Sequence, residues 1–195
     1  MTAASPRVGV LALQGDVREH VQALEALGAD VVRVRRVSEL DAVQALVIPG
    51  GESSVIDKLS RTFGLFDPIR ERLAAGMPAY GTCAGLIMLA DTILDGIPGQ
   101  QTFGGLDIVV RRNAFGAQVD SFEADLDIAE LGAPPVHAAF IRAPIVESVG
   151  PKAEALASVP DGRVVAVRQG RLIGTSFHPE ITGELRFHQL LLDSI

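Results

Sequence analysis

Apolar residues along this chain follow two patterns, and they change at mid-length. In the first half, short uninterrupted apolar runs at residues 7–13, 30–34, 45–48 and 78–81 fit strands buried on both faces of a parallel sheet, where alternation is not required. Between them lie segments of helical spacing. Val17, Val21, Leu24 and Leu27 fall on one face, Asp16 with Glu19 three residues on has the form of a capping box, and Gly28 closes the helix. Residues 54–75 read as helix interrupted near Gly64, and residues 84–89 as a further helix. Strand and helix alternating on this scale predict a doubly wound α/β sheet.

The second half reads as mostly strand. Segments 106–112, 118–127, 136–142, 163–169 and 171–176 are strand-like, with a hairpin turn at Gln169-Gly170. A last helix is expected over 183–192, with Leu185, Gln189 and Leu192 among its positions. No internal repeat or linker divides the chain. The expectation is one domain, residues 1–195, with an α/β three-layer sandwich: a flavodoxin-like mixed sheet with helices on both faces.

Composition narrows the function. A formal charge of −7 and no basic run longer than Arg35-Arg36 or Arg111-Arg112 argue against nucleic acid or an anionic membrane as partner. No apolar run approaches the ~20 residues of a membrane span, and residues 1–6 lack the pattern of a secretory signal. A cytoplasmic protein is expected. One cysteine allows no internal disulfide, so it is either core filler or chemistry.

That cysteine lies in Gly81-Thr82-Cys83-Ala84-Gly85, between a predicted strand and a predicted helix. This is the G-x-S-x-G nucleophile elbow with cysteine in place of serine. Flanking glycines permit the tight turn, and the helix N-terminus favours the thiolate, the reactive form. A small buried cysteine between packing glycines has the same local sequence. Ser176-Phe177-His178-Pro179-Glu180 follows a strand. Residues two apart in extended chain share a side, so Glu180 can orient His178, while Pro179 is expected to keep the segment from becoming helical. Alone, it also fits a strand-end histidine beside a solvated glutamate. Cys83 and His178 nonetheless end strands of one predicted α/β sheet, the edge at which such folds bind ligands. Pro49-Gly50-Gly51-Glu52-Ser53-Ser54 is a third strand-to-helix turn. Its glycines let backbone approach a substrate, the amides of Gly51 and Ala84 can face an oxyanion, and Glu52 can face a substrate ammonium. An ordinary glycine turn before a helix has the same form. Four scattered histidines and one cysteine give no metal-ligand spacing, and no nucleotide motif is present. His20, His137 and His188 read as structural or surface residues.

Taken together, the cysteine elbow, the H-P-E segment and the P-G-G loop resemble the class I, triad-type glutamine amidotransferases. Residues 9–15 with Glu19-His20, Arg112-Asn113-Ala114-Phe115-Gly116, Asp120-Ser121-Phe122-Glu123 and Phe140-Ile141-Arg142-Ala143-Pro144 extend the resemblance to the family of glutaminase subunits of pyridoxal 5′-phosphate synthase. It covers nearly the whole chain. The resemblance implies that Cys83 attacks the amide of L-glutamine through a thioester, His178 shuttles the proton and Glu180 orients His178. Gly50, Gly51 and Glu52 would line the glutamine pocket with Arg112, Ile141 and Arg142. Gln14 would lie near the oxyanion loop, on the surface touched by the synthase subunit, which receives the ammonia and builds the vitamin from a pentose and a triose phosphate. No metal and no bound cofactor are implied. A cysteine peptidase or chaperone-like relative, and a binding subunit with an inert cysteine, are the alternative readings.

Overall fold

The computed structural model describes residues 5–112 and 121–195. Its larger sheet has ten strands in the order β2-β1-β3-β4-β12-β11-β9-β6-β5, with β10 also pairing β11. The first half forms the parallel part: β1 (Arg7–Leu11), β2 (Asp30–Val34), β3 (Ala45–Ile48) and β4 (Ala79–Thr82), joined by α1 (Val17–Ala26), a short α2 (Val37–Leu40), α3 (Ser53–Thr62) and α4 (Phe66–Ala74). Next come α5 (Ala84–Leu89), β5 (Ala90–Leu94) and β6 (Leu106–Arg111). The later strands are β7 (Phe122–Leu126), β8 (Val136–Phe140), β9 (Ile145–Val149), β10 (Glu154–Ser158), β11 (Val164–Gln169) and β12 (Leu172–Thr175). A one-turn α6 (Pro179–Thr182) and α7 (Arg186–Asp193) close the chain. The fold is the α/β architecture expected from the sequence.

Why the early strands read as solid apolar runs is visible in β3. All four residues are buried, but alternately. Leu46 and Ile48 enter the core under α3, α4 and α5 with Ile56, Ile69 and Leu86. Ala45 and Val47 enter the opposite core, with Val21 and Leu24 of α1 and Phe187 and Leu191 of α7. Both faces of the sheet are covered, so neither set of positions is polar.

The late chain crosses back into the same sheet. β12 runs parallel to β4 in register Leu172↔Ala79 through Thr175↔Thr82, and antiparallel to β11 through the Gln169-Gly170 hairpin. That pairing sets the C-terminal ends of β4 and β12 side by side, with Cys83 following one and Ser176 to Glu180 the other. β7 and β8 pair separately. They lie over the α1/α7 face through Leu126, Val136, Ala138 and Phe140.

The helical stretch over 54–75 is interrupted at Gly64 as expected: α3 and α4 are separated by residues 63–65, with Gly64 at φ +69. Other sequence expectations change. Strands β5, β9 and β10 and helix α2 were not anticipated. The expected strand over 118–127 is described only as β7, since residues 113–120 lie outside the described residues. The segment after His178 is helical, contrary to expectation: Pro179 occupies the first turn of α6, where its fixed φ and missing N–H are tolerated.

Candidate active site

The elbow at the end of β4 depends on its glycines. A Cβ on Gly81 would fall 2.4 Å from the carbonyl of Gly85, and one on Gly85 would fall 1.9 Å from the carbonyl oxygen of Ile48. Cys83 between them has φ 50, ψ −104, a conformation that costs a non-glycine residue about 1–3 kcal/mol and persists only where its surroundings impose it. Here the Cys83 N–H donates to Thr175 O at 2.8 Å, tying the elbow to the end of β12. The thiol sits in a nearly closed site, with the residue 8% exposed.

His178 is held over it from the neighbouring strand. Its N–H donates to Ala139 O of β8 at 3.0 Å, and its Nδ1–H donates to Glu180 Oε1 at 2.7 Å. That leaves Nε2 for Cys83, whose thiol lies close enough to raise the pKa of the ring. Burial pushes the pKa of His178 down. Its hydrogen bonds and charge interactions with Cys83 and Glu180 outweigh it and hold the imidazole up at about 10. Burial raises the pKa of Glu180, against the opposing pull of its hydrogen bond and charge partner His178. The link between the two differs from the sequence argument. Glu180 reaches the ring from the first turn of α6 rather than from an extended strand.

Asp16 departs further from expectation. It makes no side-chain cap to α1, and Glu19 pairs with Arg18. The Asp16 N–H donates instead to Gly50 O at 3.1 Å, and its carboxylate oxygen lies 3.5 Å from His178 Nδ1. The group is pulled out of the capping geometry into the site, where burial raises its pKa and the His178 charge partly opposes that. Asp16, His178 and Glu180 together have a donor set that could surround a cation, but the tight His178–Glu180 pair already explains their closeness.

The glycine loop is clamped by the 14–16 turn. Gln14 Oε1 accepts from the Glu52 N–H at 2.8 Å. A Cβ on Gly51, at φ +149, would fall 2.4 Å from that same oxygen, and one on Gly15 would fall 1.8 Å from Gly50 O. Because a trans peptide points its carbonyl and amide oppositely, the Gly51 N–H faces away from the turn that holds Gly50 O. Ala84 opens α5, so its amide is among those a helix start leaves without an intrahelical partner.

Glu52 caps α3 through Ser54 and also accepts from Arg112 at 2.6 Å. Arg112 donates its other arm to Gln100 Oε1 at 2.9 Å, and Gln100 in turn donates to Ser53 Oγ. The Glu52 side chain stays 46% exposed while that of Arg112 is 9% exposed, leaving Glu52 accessible to a cation and Arg112 fixed behind it. Gln100 was not anticipated: it lies in a connecting segment with no sequence signal. Ile141 and Arg142 follow β8, whose Ala139 O accepts from the His178 N–H; both are exposed, with Arg142 at φ 45. Asn113 to Gly116 and Asp120 lie outside the described residues.

Residues 10–195 match the model of the SNO glutamine amidotransferase family. The chain belongs to that family. This amidotransferase is 70% identical over 190 residues to the "Pyridoxal 5′-phosphate synthase subunit PdxT" of Leifsonia xyli subsp. xyli, covering 97% of the chain and 96% of the relative. It is 66% identical to the protein of the same name from Clavibacter sepedonicus, covering 97% and 91%. A crystal structure of a glutamine amidotransferase superposes with a TM-score of 0.89 at 47% identity, covering 96% of this chain and 97% of that one.

Of the remaining histidines, His137 is exposed on β8 between Asp125 and Glu123, and His20 and His188 are fully buried. No helix among the described residues is long and apolar enough to cross a membrane.

Proposed function

We propose that the chain is a single amidotransferase domain that hydrolyses L-glutamine to L-glutamate and ammonia, and passes the ammonia to the synthase subunit of pyridoxal 5′-phosphate synthase. The observation that carries this is the alignment of Cys83, His178 and Glu180 across the paired ends of β4 and β12, in a chain closely similar to subunits of that enzyme. Cys83 Sγ, as thiolate, adds to the side-chain carbonyl carbon of glutamine. The imidazolium of His178 gives its proton to the departing nitrogen, and the C–N bond breaks to leave a thioester and free ammonia. His178, now neutral, takes a proton from water, whose oxygen attacks the thioester. Glutamate leaves, and the thiolate–imidazolium pair is restored.

The amides of Gly51 and Ala84 receive the oxyanion. Gly50, Gly51 and Glu52 line the glutamine pocket with Arg112, Ile141 and Arg142, and Glu52 faces the substrate ammonium. Gln14 couples the site to the partner: the 14–16 turn grips residues 50–52 by two hydrogen bonds, so a protein docking on it moves the oxyanion loop. No metal or bound cofactor enters the reaction, and a free reactive thiol suits the reducing cytoplasm. The acidic chain has no use for nucleic acid or a membrane.

The test is glutaminase turnover with and without the synthase subunit. One misplaced oxyanion donor costs about 10²–10³ in rate, so addition of the partner should raise turnover by about that factor or somewhat less. Equal rates would remove the gating role of Gln14.

A further inference from the structure

Behind Glu180 lies a buried polar chain that the chemistry above does not use. His20 on α1 has Nδ1 at 2.8 Å from His188 Nε2 on α7, and Nε2 at 3.0 Å from Thr82 Oγ1 on β4. The same Nε2 is 3.6 Å from Glu180 Oε1. Both histidines are fully buried, and ring packing fixes them. Tyr80 meets His20 and His188 edge-on at 6.3 and 5.4 Å, and stacks on Phe187 at 5.9 Å.

One proton arrangement satisfies this chain better than the other. His188 Nδ1 has no hydrogen-bond partner among the described residues. Were it protonated, a buried donor would be left unsatisfied; as a bare lone pair it costs less. His188 therefore carries its proton on Nε2 and donates to His20 Nδ1. His20 must then carry its own on Nε2, directed at Thr82 and at Glu180 Oε1. The reverse arrangement would aim a lone pair at the carboxylate. Glu180 has need of the dipole: its Oε2 is buried without a hydrogen-bond partner among the described residues.

We infer that His20, locked in one tautomer by His188, is a positioning residue that presents its Nε2–H to the buried carboxylate of Glu180 and so keeps that carboxylate ionised beneath His178. At 3.6 Å this is a dipole–charge contact rather than a full hydrogen bond, strengthened by the chain behind it. The imidazoles serve because they are neutral. Burial holds His20 well below its ordinary pKa, and His188 down at about 4 despite Glu184 nearby. A cation at His20 would compete with His178 for the same carboxylate. Around Glu180 the other facing groups are His178 at the start of α6, Asp16 ahead of α1 and Tyr80 on β4.

This rests on the assignment of Cys83, His178 and Glu180 as the reacting triad. The test is the pH profile of glutamine kcat/KM in the assembled complex with the synthase subunit, alongside the pH dependence of iodoacetamide capture of Cys83. His20→Phe should move the acid limb of both up by about one pH unit or less, the low end of what a donor to a charged group supplies, with KM for glutamine unchanged. His20→Gln, which keeps a donor near the Nε2 position, should restore the limb. His188→Phe, further from the reacting atoms, should shift it by less in the same direction and covers the case in which His20→Phe does not fold. Rates lowered equally at every pH, with superimposable limbs, would make the pair mere packing and overturn the inference. Cys83→Ala run in parallel separates the two assignments: activity persisting there sinks the triad itself, whereas its loss together with unshifted limbs sinks only the role of His20.

Discussion

Replacing Gly50 by alanine adds one methyl group at the point where the glycine loop touches His178, the proposed proton carrier. Gly50 is absent from the positive-φ glycines, so alanine brings no left-handed backbone strain, and the effect is steric. The new Cβ would fall 2.5 Å from His178 Cε1 and 2.9 Å from Asp16 Oδ2. Carbon atoms pack at about 3.5–4.0 Å, so the ring or the loop must yield by about 1 Å. A shift of that size in reacting geometry costs about 10²-fold in rate. Overpacking of this kind costs about 1–3 kcal/mol in stability, or roughly 2–12 °C at this chain length, so the variant should remain folded. The assay is glutamate release by the complex, with a melting curve on the same preparation. Turnover within threefold of the parent, in a folded variant, would show that the contact with Gly50 does not set the position of His178.

Two further outcomes follow from the charges. Glu180→Gln keeps an acceptor for His178 Nδ1 but loses the negative charge, so it should cost about 10–10² in glutaminase rate, less than the about 10⁴ seen when a serine triad loses its carboxylate. His178→Ala, which removes the proton carrier, should cost more, and equal losses in folded proteins would refute this division of labour. For stability, His188 is held down at about 4, below its unfolded value of about 6.5. Its contribution is therefore complete above pH 6.5 and lost as pH falls toward 4, by about 3 kcal/mol. Urea unfolding of His188→Phe beside the parent should show that loss only in the parent, and a difference between them that does not vary with pH would contradict it.

Much of the candidate site was legible in the sequence, because its residues sit in short local motifs. Cys83 needs Gly81 and Gly85, and the short distances from a Cβ at either position to the Gly85 and Ile48 backbones show why. The β4–β12 pairing was implied only through the expected common sheet edge, since β12 follows β4 by almost half the chain. What was missed depends on contacts distant in sequence. Asp16 has the sequence of a helix cap, but the carbonyl of Gly50 and the charge of His178 compete for it and prevail. Pro179 looked like a helix breaker because its place in a first turn is set by what precedes it. His20 and His188 lie 168 residues apart, and nothing local to either signals the other. Strands β9 and β10 are short and partly exposed, so their apolar pattern is too weak to stand out.

The most direct test of the central claim uses a complex in which Cys83 is alanine. If that thiol serves only to release ammonia, the complex should make no pyridoxal 5′-phosphate from glutamine. It should make it from an ammonium salt at a pH that leaves some free ammonia. The readout is the absorbance of the product with each nitrogen source. Product from glutamine would show that Cys83 is not the nucleophile, and failure with both sources in an assembled complex would show that this chain does more than supply nitrogen.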